Sequence, residues 1–77
     1  MKPSTYRVVL DNQRFSKEAE ARGWRSNAAA ADALGISEAT MWKLRSRKIS
    51  PSARTIDLFL TELELPYGAL FHREEQS

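Results

Sequence analysis

Few side chains in this sequence can do covalent or proton-transfer chemistry. It contains one histidine, His72, and no cysteine, which leaves no thiolate for nucleophilic attack, for a disulfide or for a zinc site. Asp57, Glu62 and Glu64 share one helical stretch. A general acid–base pair needs a pocket, however, and a chain of 77 residues has little core from which to build one. The three glycines are scattered and form no phosphate-cradling loop. These residues predict a protein that is not an enzyme and that holds no metal and no cofactor. What the sequence does concentrate is positive charge. Lys43, Arg45, Arg47, Lys48 and Arg54 fall between Trp42 and Arg54 without one acid, whereas Thr55 to Ser77 holds five acids against Arg73 alone. Net charge is only +2, so the information lies in the polarisation, a basic middle and an acidic tail. A basic segment of this kind is either a solvated face or a surface for an anionic partner.

The elements that must position this segment follow from caps and spacing. Ser-Asn-Ala-Ala-Ala-Ala-Asp-Ala-Leu-Gly over 26–35 predicts a short helix, with Ser26 as N-cap, alanine as the best helix former and Gly35 as a stop. Ser37 caps a second short helix over about 37–47, with Glu38 at its positive end. Met41 and Leu44, three residues apart, share the buried face of that helix. Ser37, Glu38, Ala39, Trp42 and Lys43 are left facing outward. Ser50-Pro51-Ser52 breaks the chain and opens a further helix with Ile56, Phe59, Leu60 and Leu63 on one stripe, ended by Pro66. A last turn over 67–71 folds Leu70 and Phe71 onto the core. Upstream, Phe15, Ala19 and Trp24 fit a first helix over 12–22, capped by Asp11 and closed by Gly23. Tyr6 to Leu10 either extends this helix or forms a short strand, and its β-branched residues favour the strand.

Length and a 42% hydrophobic share predict one globular domain whose small core needs dimerisation or very regular helix packing to support it. The expected division is an N-terminal arm or extension over 1–10, the domain proper over 11–72 and a frayed polar tail over 73–77. The start, Met-Lys-Pro-Ser-Thr-Tyr-Arg, has no hydrophobic stretch after its lysine, and no run reaches transmembrane length. A soluble, intracellular protein that makes no membrane contact is therefore expected.

The ordered set Phe15, Ala19, Gly23-Trp24, then Ala31, Gly35-Ile36-Ser37, Met41, Leu44, then Pro51-Ser52, Ile56, Leu60, Leu63 and Leu70-Phe71 resembles the Cro and lambda-repressor type of helix-turn-helix proteins. The resemblance covers about residues 15–71. It implies an all-α, four- to five-helix bundle in which Ala31 sits where the motif's two helices cross. Arg45-Ser46-Arg47 stand where that family usually has an acidic residue followed by glycine, and Asn27 stands where it commonly has glutamine.

The same resemblance implies a sequence-specific double-stranded DNA-binding regulator, a repressor or Cro-like protein of a bacterial cytoplasm or phage-infected host. It would work as a homodimer on half-sites about 34 Å apart. Carried over by position, Ser37, Glu38, Ala39, Trp42 and Lys43 face base edges. Lys43 suits guanine O6 or N7, Ala39 a thymine methyl and Glu38 cytosine N4. Asn27, Arg45, Arg47 and Lys48 hold phosphates. Two other readings fit the residues: a protein-interaction module such as an antitoxin or adaptor, and an excisionase-like architectural DNA binder.

Overall fold

Helices start where the sequence places short polar caps. In the computed structural model, which describes residues 6–75, strand β1 (Tyr6–Leu10) leads into five helices and a closing strand. The helices are α1 (Asn12–Ala21), α2 (Asn27–Leu34), α3 (Glu38–Arg45), α4 (Ala53–Leu63) and the single turn α5 (Tyr67–Leu70), and strand β2 (Phe71–Glu75) follows. Asp11 accepts from the Arg14 amide, Ser26 from Ala29, Ser37 from Thr40 and Ser52 from Thr55, all at 3.0–3.1 Å. Each such bond occupies one amide that the helix itself cannot satisfy and is worth about 1 kcal/mol.

The helix ends are less local in origin. Gly35 closes α2 with φ of 76°, a left-handed conformation that a side chain would strain. The helix carrying the motif's outward residues is shorter than 37–47, because Ser46 caps it and Arg47 turns left-handed at φ of 62° without being glycine. Likewise α4 stops at Glu64, with φ of 54°, ahead of Pro66. Arg22, just past α1, donates to the Leu63 carbonyl at 3.1 Å and so joins the ends of α1 and α4.

Phe15, Ala19, Ala30, Ala31, Leu34, Met41, Leu44, Phe59, Leu63, Leu70 and Phe71 form one buried cluster with Leu10. Phe59 sits at its middle, with its ring 5.5 Å from that of Phe15 and 5.7 Å from that of Phe71. Trp24, Ile36, Ile56 and Leu60 pack on its rim. Ala31 is buried where α2 meets α3, and its carbonyl accepts from the Ile36 amide at 3.0 Å.

An all-α fold does not survive this comparison. β1 and β2 pair antiparallel over five residues each, from Tyr6 opposite Glu75 to Leu10 opposite Phe71. Of the two conformations open to Tyr6–Leu10, the strand forms, and it pairs with the far end of the same chain. Residues 6–10 are accordingly part of the domain and not a separate arm. Nor is the tail frayed from residue 73, since Arg73, Glu74 and Glu75 belong to β2; residues 1–5 and 76–77 lie outside the described part. The physical cause lies at the core end of this two-stranded ladder. Leu10, Val9 and Phe71 are buried, whereas Tyr6 at the tip is 52% exposed. The Asp11 amide also donates to the Leu70 carbonyl at 2.7 Å, which brings the start of α1 to the end of α5. Among the described residues no helix is long and apolar enough to cross a membrane.

One surface network makes stability sensitive to pH. Glu18 accepts from Arg22 at 2.7 Å and from Arg14 at 3.1 Å, and these bonds, that of Arg22 first, hold its carboxyl below the ordinary 4.5. A carboxylate depressed in this way contributes stability above its ordinary pKa and loses it as pH falls through the depressed value. Thermal melts of the protein and of its Glu18→Gln variant should therefore differ at neutral pH and converge once the pH is well below 4.5.

Candidate nucleic-acid interface

The turn Gly35-Ile36-Ser37 sets α3 across α2, and Met41 and Leu44 fasten its inner side to the core. The opposite side is open. Ser37, Glu38, Ala39, Trp42 and Lys43 are all exposed. Glu38 and Trp42 are four residues apart, as are Ala39 and Lys43, so they make two adjoining rows on one face. The Ser37 hydroxyl is partly committed, since it accepts from the Thr40 amide and donates to Thr40 Oγ1 at 2.8 Å. The Lys43 carbonyl accepts from Ser46 Oγ and the Lys48 amide, whereas its ammonium has no partner among the described residues. Trp42 keeps 51% of its surface exposed, and the Lys48 ammonium lies 5.6 Å from its ring centroid. That is a cation–π pair at the foot of the face.

The four residues expected to hold phosphates divide sharply. Lys48 is exposed. Arg45 and Asn27 are bound to each other, Arg45 Nη1 donating to Asn27 Oδ1 at 3.2 Å. Arg45 also donates through Nε to Asn12 Oδ1 at 3.3 Å and through Nη2 to Ser16 Oγ at 2.6 Å, and its guanidinium lies 5.2 Å from the Phe15 ring centroid. Arg47 donates to Glu74 of β2, whose other oxygen accepts from Arg7 of β1 at 3.5 Å. The Nε atoms of Arg7 and Arg47 are buried without a partner among the described residues, so Glu74 saturates neither guanidinium.

Asn12, Ser16, Arg7 and Glu74 are therefore partners of the expected site residues that sequence reasoning passed over. For Asn12 and Ser16 a signal existed: two small polar residues four apart on α1, with a cation where the resemblance implies an acid. For Glu74 there was none, because it reaches Arg47 only through the pairing of the two chain ends. No family model, curated protein or solved structure matches the chain. Chemically, the face offers an ammonium donor, a carboxylate acceptor, a methyl and an indole on a helix of about 10–12 Å overall diameter. Three cations of the basic run are exposed: Lys43 on the face, Lys48 beside it against Trp42, and Arg54 in the first turn of α4. A B-DNA major groove about 12 Å wide presents the complementary donors, acceptors and methyls between two rows of phosphates.

Proposed function

We propose that the chain is a double-stranded DNA-binding protein that lays α3 in the major groove. The observation that carries this reading is the open face of α3, with Ser37, Glu38, Ala39, Trp42 and Lys43 raised on the buried Met41 and Leu44 and bordered by cations. Within that class it acts as a sequence-specific transcriptional regulator of the Cro and lambda-repressor-like type, as a homodimer on two half-sites.

Retention of a random duplex pool at two salt concentrations, followed by sequencing of the retained DNA, tests the reading. Enrichment of a short, roughly palindromic site is the expected result. Lys43→Ala should lose about 1–3 kcal/mol of binding to that site with an unchanged helical spectrum, which is the usual worth of a good base contact. Salt dependence gives a second, quantitative check. Each neutralised phosphate contributes about 0.9 to the slope of log affinity against log salt. With Arg45 and Arg47 engaged inside the protein, the segment from Trp42 to Arg54 should contribute about 3 per chain, not the roughly 4.5 of five free cations. No retention at low salt would give first place to a protein partner, a reading favoured by the exposed apolar surface of Trp42 and Ile49.

A further inference from the structure

We infer that Arg45 is a positioning residue: its guanidinium fixes the angle of α3 against α1 and α2, so discrimination among base sequences passes through a side chain that touches no base. This rests on the DNA reading above. A guanidinium is a rigid planar fork of five N–H donors. In Arg45 each of its three nitrogens is placed, on Asn12, Asn27 and Ser16, while its flat face covers Phe15. The Asn12 amide then donates back to the Arg45 backbone carbonyl at 2.7 Å. The last residue of α3 is thereby held by side chain and main chain to the first turns of α1 and to the first residue of α2.

The need for such a clamp follows from the size of α3. Eight residues make a helix too short to persist alone in water. The apolar contacts of Met41 and Leu44 hold the helix to the core but are not directional, so they do not by themselves set its tilt. Glu38 lies seven residues from Arg45, about 10 Å along the axis at 1.5 Å per residue. A tilt of about 10° at the clamped end would move Glu38 by nearly 2 Å, several times the roughly 0.5 Å spread of good hydrogen-bond lengths. Directional bonds at one end are therefore what keeps the base-facing rows in register with a groove.

A phosphate contact is the competing role for Arg45, and charge separates the two. Arg45→Lys keeps the charge but not the fork, Arg45→Met keeps only the stem, and Asn12→Ala removes a partner that carries no charge. If Arg45 positions α3, all three variants lose selectivity alike: the affinity ratio of the selected duplex over a scrambled one drops on the order of tenfold, the worth of one base contact. The salt slope stays as it was. In the protein without DNA, amide hydrogen exchange across Met41 to Arg45 accelerates on the order of tenfold while α4 amides keep their protection. Near-normal selectivity in Arg45→Lys, with Arg45→Met weakening every duplex equally and lowering the slope by about 0.9, would show a phosphate contact and overturn the inference. Unchanged α3 exchange in all three variants would overturn it without reference to DNA. Faster α3 exchange in variants of a chain that selects no duplex would support the clamp and sink the DNA reading instead.

Discussion

Phe59→Ala should abolish the cooperative thermal transition. Phe59 is completely buried and touches the rings of both Phe15, from the first helix, and Phe71, from the closing strand. Truncating such a ring removes its transfer free energy and leaves a cavity, a loss of about 3–5 kcal/mol. Each tilted or edge-on ring pair adds about 0.5–1.5 kcal/mol beyond the area it buries. Against this stands a total stability on the order of 4–11 kcal/mol for a chain of this length, and domains of under about 80 residues lie at the lower end. The variant is then expected to melt without a sigmoid in circular dichroism, with part of its helical signal lost at the outset. Ile56→Val, on the half-buried rim of the same helix, should cost only about 0.5–1.5 kcal/mol and keep its transition. A cooperative melt of Phe59→Ala within a few degrees of the parent would mean that the three rings do not unite the two ends of the chain.

What the sequence makes legible here is what local physics decides. Asp11, Ser26, Ser37 and Ser52 announce four helix starts because a cap bond closes within three residues. Gly35 announces a stop because only glycine enters the left-handed region cheaply. The outward face of α3 could be read from Met41 and Leu44 alone, since two buried positions fix the opposite side of a helix. The β1–β2 ladder could not. β2 reads Phe-His-Arg-Glu-Glu, with no alternation to mark a strand, and its pairing partner begins the domain. Its strand character comes from the ladder that β1 offers and from one buried root residue, which is a tertiary cause. The ends of α3 and α4 were hidden for a similar reason, because Arg47 and Glu64 adopt a conformation that composition assigns to glycine or asparagine.

Charge shows the same boundary between local and tertiary causes. The basic run was plain in the sequence, but not which of its members face solvent. Arg45 lies 33 residues from Asn12, 29 from Ser16 and 18 from Asn27, and Arg47 lies 27 from Glu74. Such pairings depend on the packing of α1, α2 and the β1–β2 ladder around the end of α3. For the proposed DNA binding the consequence is concrete: two of the five cations are engaged within the protein, and fewer are left for phosphates than the composition suggests.

Removing residues 73–77 tests the β1–β2 pairing directly. If the tail were frayed, the shortened chain would melt like the parent. In the observed pairing it loses the ladder opposite Tyr6–Val8 and the carboxylate shared by Arg7 and Arg47, while Phe71 stays in the core. Intramolecular hydrogen bonds are worth about 0.5–1.5 kcal/mol net. Partly exposed ion pairs such as those of Glu74, whose side chain is 31% exposed, add about 0–1 kcal/mol after screening. Together these place the loss at about 1–3 kcal/mol, and a domain of 60–100 residues answers 1 kcal/mol with a fall of about 4–8 °C in Tm. β1 without a partner strand has no ladder of its own, so the amides of Tyr6 to Val8 should exchange freely while those of α4 stay protected. Glu74→Gln in the full chain isolates the ionic part. It should lower Tm by only a fraction of the truncation's effect, because the ladder remains. A truncated chain with an unchanged melt would mean that β1 owes its order to Val9 and Leu10 in the core and nothing to Arg73–Glu75 of β2.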